Sequence, residues 1–195
     1  MERCIIPIFR HDDINDPRAT QIIDGLYLGC NEGANDELLL DQLNIKKLVK
    51  VGEELTMRNP DKYDYMNIDI HDHDDENMYQ HFESSFKFID KAINNKENVL
   101  VHCKFGISRS ATIVISYIIQ KFKYRSNEVI AFVSTKGPIS NPNNGFIRQL
   151  NELDLRVSSH FLEPSQFGMK INTNLPIKKP YIKRDNASCR IKYKK

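Results

Sequence analysis

The chain has no apolar run near the ~20 residues that a membrane-spanning helix needs. Its start, MERCIIPIFRHDD, is apolar only briefly before it meets charge, which argues against a secretory signal. Cysteine is sparse: Cys4, Cys30, Cys103 and Cys189 are scattered, and no two stand at CxxC spacing. That pattern excludes a disulfide framework and a zinc ribbon, and it fits a reducing compartment. No internal repeat is visible. The expected location is inside the cell, the cytoplasm first and the nucleus second.

What is present is an ordinary globular composition. Of 195 residues, 40% are hydrophobic and 28% charged, enough for one domain with a sizeable core. The net charge of +2 hides an asymmetry. Residues 164–195 hold nine Lys and Arg against one acid, Asp185, for +8, which leaves the first 163 residues at −6. Lys178, Lys179, Lys183, Arg184, Arg190, Lys192, Lys194 and Lys195 form a loose basic cluster. It suits nucleic acid, an acidic partner or anionic lipid, or serves only as a solubilising end.

Strand and helix patterns alternate along the chain. Residues 1–20 have weak periodicity and read as an arm or a peripheral strand. IIDGLYL at 22–28 reads as a strand interrupted at Asp24-Gly25. A helix is expected over 34–44, with Leu39 and Leu43 four apart, and KLVKV at 47–51 is a strand-length apolar run. In YMNIDI at 65–70, Met66, Ile68 and Ile70 share one face. Phe82, Phe86, Ile89 and Ile93 mark an amphipathic helix over 78–95. NVLVH at 98–102 reads as a strand, and 108–122, apolar almost all round, as a helix buried in the core. Ser126 is expected to cap a helix running to Lys136 and ended by Gly137-Pro138. The last helix is expected over 144–161, with Phe146, Leu150, Leu153, Val157 and Phe161 on one stripe. This order predicts an α/β fold: a central, mostly parallel sheet of four or five strands flanked by helices.

The segment from Val99 to Ile118 carries the most chemistry. A buried strand delivers Cys103, five residues follow (Lys104, Phe105, Gly106, Ile107 and Ser108), then Arg109 opens a buried helix. Unpaired N–H groups and the dipole at a helix start favour an anion, and Gly106 allows a tight turn. That field favours a thiolate at its rim. The Arg109 fork matches two phosphate oxygens. Together these groups suit attack by sulfur on a phosphate monoester, giving a phosphocysteine that water then hydrolyses. Ser110 could donate to the sulfur and ease its departure. His102 is expected to tune the thiol electrostatically and to fix the loop by hydrogen bonding.

HCKFGISRSA resembles the His-Cys-x5-Arg-Ser/Thr signature of cysteine-dependent protein phosphatases, and its GISRS ending looks most like the dual-specificity branch. IIDGLYLG is similar to that family's first strand, and NPNNGFIRQL at 141–150 to its Pro-Asn-x-Gly-Phe segment. The resemblance covers about residues 20–160. No rhodanese-like docking domain precedes it, so a small, atypical member is expected: an arm over 1–20, a phosphatase catalytic domain over 21–163 and a basic tail over 164–195. The family's substrates imply phosphoprotein partners carrying phosphotyrosine and phosphoserine or phosphothreonine. Two alternatives stay open: the same chemistry on RNA 5′-phosphates or phosphoinositides, and a catalytically idle phosphate-binding scaffold.

A phosphate ester also needs its leaving oxygen protonated by a neutral acid. The loop HDHDDEN at 71–77 offers Asp72, Asp74, Asp75 and Glu76. The resemblance places the role on Asp72, with Asp74 as runner-up. An acid needed protonated beside a sulfur needed ionised implies a bell-shaped rate profile with an acidic to neutral optimum. His71 and His73 among these acids resemble metal ligands, but no second His/Cys cluster completes a site, so no metal and no cofactor is expected. The resemblance has Asn143 hydrogen-bonding the phosphate loop; a simple helix cap is the alternative. Cys30 reads either as a resolving thiol for an oxidised Cys103 or as an ordinary buried cysteine. Tyr124 and Arg125 are candidates for the site entrance.

Overall fold

The computed structural model describes residue 16, residues 18–136 and residues 140–158. The basic tail, most of the arm, Phe161, Gly137-Pro138, Cys4 and Cys189 lie outside the described residues.

Five strands form one sheet: β1 (Ala19–Ile23), β2 (Leu26–Cys30), β3 (Ile45–Val51), β4 (Asp64–Ile68) and β5 (Asn98–Cys103), in the order β1-β2-β5-β3-β4. Only β1 and β2 are antiparallel; every other pair is parallel. The expected α/β architecture with a mostly parallel sheet is therefore present. The turn expected at Asp24-Gly25 is present: Gly25, with φ +76°, folds β1 back onto β2, so the interrupted strand read over 22–28 is two paired strands. β1 opens at Ala19, inside the segment read as an arm.

The helices are α1 (Asn31–Ala34), α2 (Glu37–Gln42), α3 (Phe82–Asn94), α4 (Arg109–Phe122), α5 (Ser126–Lys136) and α6 (Asn144–Ser158). The helix expected over 34–44 is split into α1 and α2, since Asp36 accepts the Leu39 N–H at 3.1 Å and starts a new helix. A 3₁₀ turn at Tyr79–His81 takes the start of the helix expected from 78. Ser126 is the first residue of α5, not a flanking cap. Its hydroxyl donates to Asn151 Oδ1 at 2.7 Å and so ties α5 to α6.

Strand alternation sorts the core onto two faces. Leu26, Leu28, Val49, Val51, Val99 and Val101 pack with α3, α4, α5 and α6 in the larger cluster. Tyr27, Ile45, Leu48 and Leu100 pack against Leu39, Leu40 and Leu43 on the other face. Every residue of α4 from Arg109 to Ile119 is buried, which puts this helix at the centre of the main layer. Burying each large aliphatic side chain is worth about 1.5–3 kcal/mol, so the strand–loop–helix unit of β5 and α4 sits on the most heavily stabilised part of the fold. Among the described residues, no helix is long and apolar enough to cross a membrane.

Candidate active site

Parallel strands end together, so β2, β3 and β5 deliver their following loops to one edge of the sheet. Cys103 is the last residue of β5 and is buried. Two donors aim at its sulfur: the Gly106 N–H at 3.3 Å and the Ser110 hydroxyl at 3.1 Å. Gly106 holds φ +73°, and a β-carbon there would stand 2.8 Å from the Gly29 carbonyl, so the loop packs directly on the β2 backbone. The far side of the loop is held by the Asn141 N–H, which donates to the Ile107 carbonyl at 2.8 Å. Lys104 and Phe105 stand exposed at the loop's tip, and Ile107 is half-buried.

Arg109, also buried, is gripped end-on. Nη1 donates to Glu54 Oε2 at 2.8 Å and to the Ile70 carbonyl at 3.3 Å, and Nη2 donates to Glu54 Oε1 at 2.6 Å. Among the described residues Nε has no hydrogen-bond partner, so the Nε edge of the fork is the one left uncommitted. Burial works against the Arg109 charge; the Glu54 hydrogen bond and nearby negative groups outweigh it and hold the guanidinium above its usual range. The same hydrogen bond holds the Glu54 carboxyl below the ordinary carboxylate range. Sequence reasoning missed Glu54. It lies 55 residues from Arg109 in a polar stretch, and no periodicity or motif marks it.

Asp72 meets the loop through Ser108. The Ser108 hydroxyl donates to Asp72 Oδ1 at 2.6 Å, and Asn143 Nδ2 donates to the same oxygen at 3.0 Å. Ser108 stands at the start of α4 yet caps nothing with its side chain, because its hydroxyl is committed to Asp72. Asn143 combines both expected roles: its backbone N–H donates to Ser108 Oγ at 3.1 Å, and its Oδ1 accepts the Phe146 N–H at 2.9 Å at the start of α6. Gln149 of α6 anchors the acid loop further, donating to the Glu76 carbonyl and accepting the Tyr79 N–H, both at 2.7 Å. Among the described residues, the Asp74 side chain makes no comparable hydrogen bond to the 104–109 loop.

Two expectations need revision. His102 does not fix the loop by hydrogen bonding: among the described residues neither ring nitrogen has a partner, and burial, with the Lys50 charge, pushes its pKa down to about 3. It is a neutral side chain on the sheet face opposite Cys103. Tyr124 and Arg125 do not line the entrance. They follow the far end of α4, a helix about 20 Å long at 1.5 Å per residue, and Arg125 reaches Asp154 and Ser158 on α6. Cys30 is the register partner of Cys103 between β2 and β5; both are buried and neither is in a disulfide.

A buried cysteine sulfur with two donors on it, a clamped guanidinium and the Asp72 carboxyl are thus brought together at one edge of the sheet. Residues 26–155 match the family described as dual specificity phosphatase, catalytic domain. The chain belongs to the dual specificity phosphatase family. It is 36% identical over 139 residues to dual specificity protein phosphatase 1 of Arabidopsis thaliana, a match covering 70% of each protein. It is 35% identical over 133 residues to protein phosphatase Slingshot homolog 1 of Homo sapiens, covering 68% of this chain but 13% of that protein. The crystal structure of DUSP15 superposes with a TM-score of 0.66 at 30% identity, covering 73% of this chain and 96% of that one. The phosphatase domain therefore accounts for nearly the whole of one solved relative and a small part of a larger one.

Proposed function

We propose that this phosphatase hydrolyses phosphate monoesters on phosphotyrosine and phosphoserine or phosphothreonine proteins through a phosphocysteine intermediate, with residues 21–163, extended to the start of β1, as its catalytic unit. Cys103 is the nucleophile. Its sulfur attacks phosphorus while the Arg109 Nε edge and the amides of Lys104 to Arg109 hold the three equatorial oxygens. Asp72 gives its proton to the departing oxygen. Oδ1 already accepts two hydrogen bonds, so the other oxygen is the one to carry that proton. In the second step Asp72 takes a proton from water, the resulting hydroxide attacks phosphorus, and the phosphorus–sulfur bond breaks. The Ser110 hydroxyl, 3.1 Å from the sulfur, stabilises the thiolate as it leaves.

The observation that carries this reading is the double donation to Cys103 Sγ beside a clamped arginine. A phosphate-binding scaffold has no use for two donors aimed at a sulfur. The test is rapid-quench labelling with a phosphorylated peptide. A phosphocysteine on the wild-type chain that is absent from Cys103→Ser is the expected result. A Cys103→Ser protein that still turns over substrate would remove the mechanism. Parallel arms with an RNA 5′-triphosphate and a phosphoinositide vesicle, with and without residues 164–195, test the protein-substrate assignment.

A further inference from the structure

Among the buried polar groups that the mechanism above does not use is a lysine. Lys50 lies in β3, and its side chain is 4% exposed. It is the register partner of His102 and shares the sheet face of Leu48 and Leu100, opposite Cys103. A lysine buried in an inner strand is costly unless its donors are satisfied, and an aliphatic residue would suit the sheet better.

All three Lys50 donors are used at the active-site edge. Nζ donates to the Gly52 carbonyl at 2.8 Å, to the Leu55 carbonyl at 3.1 Å and to Asp69 Oδ1 at 3.0 Å. Gly52 and Leu55 bracket Glu54, the carboxylate that grips Arg109 through both Nη atoms. Asp69 immediately precedes Ile70, whose carbonyl is the other acceptor for Arg109 Nη1. Each acceptor of Arg109 therefore lies within two residues of a group held by Lys50. Gly52 adds a steric condition: it holds φ +146°, and a β-carbon there would run into Arg109 Nη1.

We propose that Lys50 is a positioning residue for Arg109. Its amino group pins the 52–55 turn to residues 69–70, just past β4, so that Glu54 and the Ile70 carbonyl hold the guanidinium with its Nε edge turned toward the substrate phosphate. The inference rests on the phosphatase reading of the site. Without Nζ, two turn carbonyls lose their shared donor, Glu54 is no longer held, and Arg109 must be ordered at the moment of binding.

The test uses the full chain and two readouts: tungstate affinity by calorimetry, and kcat and KM on p-nitrophenyl phosphate. Lys50→Met keeps length and loses every donor; it should weaken tungstate binding about tenfold or more and raise KM more than it lowers kcat. Lys50→Gln keeps two donors and should fall between, at about threefold. Glu54→Gln should match Lys50→Met, and the double variant should be no worse than the worse single variant, because both act through Arg109. Thermal unfolding checks that each variant folds. Should Lys50→Met not fold, Lys50→Gln with and without Glu54→Gln carries the same cycle. Tungstate affinity within twofold of wild type in the folded Lys50 variant, or losses that multiply in the double variant, would overturn the proposal. A wild-type chain that binds tungstate yet leaves phosphopeptides intact removes the protein phosphatase reading instead, and the Lys50 cycle is then decided on affinity alone.

Discussion

Asn143 and Asp72 are 71 residues apart in the chain, and the Asn143 side-chain amide donates to the Asp72 carboxylate at 3.0 Å. The same asparagine caps the start of α6 and holds Ser108 through its backbone. One residue thus sets the separation between the proposed acid, the phosphate loop and the last helix. A carboxylic acid on an exposed loop is useful only if it waits at the mouth of the site, and this contact keeps it there.

Replacing Asn143 by Ala should therefore show two separable effects. Loss of the cap costs about 1 kcal/mol and lowers Tm by roughly 2–4 °C for a domain of this size. Loss of the Asp72 tether should slow phosphotyrosine turnover about tenfold, while an ester with a very acidic leaving group falls much less, since it needs little protonation. Differential scanning calorimetry and two-substrate kinetics measure these independently.

Asp72→Asn should give the stronger form of that signature. Turnover of phosphotyrosine should fall by about 10²–10⁴, the usual contribution of a positioned acid, with a smaller loss on the acidic-leaving-group ester. The basic limb of the pH–rate profile should disappear on phosphotyrosine. Equal losses on both substrates would move the role to another group, Asp74 being the first to try.

The Arg109 clamp predicts an order among substitutions. Arg109→Lys loses the planar fork altogether and should cost about 10²–10³ in kcat/KM, or roughly 3–4 kcal/mol of transition-state stabilisation. Glu54→Gln keeps one acceptor for the fork and should cost about ten- to a hundredfold. A Glu54→Gln enzyme as poor as Arg109→Lys would mean that Glu54 does more than hold the arginine.

Stability should fall on acidification from a higher pH than carboxylates alone would give. Burial, with the Lys50 charge, pushes the His102 pKa from the ordinary 6.5 down to about 3, and burial also lowers that of His81. Between those two values the unfolded chain binds a proton that folded His102 refuses. Stability is therefore fully present above pH 6.5 and drains as pH drops toward 3, by at most about 1.4 kcal/mol per pH unit for one group. The carboxyls held low by hydrogen bonds, Asp16, Asp36 and Glu54, add their losses only further down. Urea midpoints measured from pH 8 to pH 4.5 should be flat and then decline. His102→Leu buries no unpaired nitrogen, so it should be no less stable at pH 7 and should decline less steeply. An unchanged slope would assign the acid sensitivity to other groups.

Much of the architecture was legible because its signals are local. Alternation in YMNIDI marked β4 and its continuation, with Ile68 and Ile70 buried and Asn67 and Asp69 exposed. The run after Arg109, apolar almost all round, marked the central helix, and its burial follows from having no charged face to turn outward before Lys121. Where short-range chemistry competed with periodicity, the reading blurred. Asp36 made two helices of one, whereas the turn at Asp24-Gly25 was legible and the antiparallel pairing of its flanks was not.

By itself the sequence determined the strand, the loop and the helix from Val99 to Ile118, and so the company kept by Cys103, Gly106, Arg109 and Ser110, because the eight consecutive residues from Cys103 to Ser110 carry that geometry. Only the tertiary structure decided that Glu54 grips Arg109, that Lys50 anchors the turn bearing Glu54, that Asn143 restrains Asp72, and that His102 stays neutral and unpaired. Those partners come from different strands and helices. Their meeting depends on parallel register and on the packing of α6, which no stretch of neighbouring residues encodes.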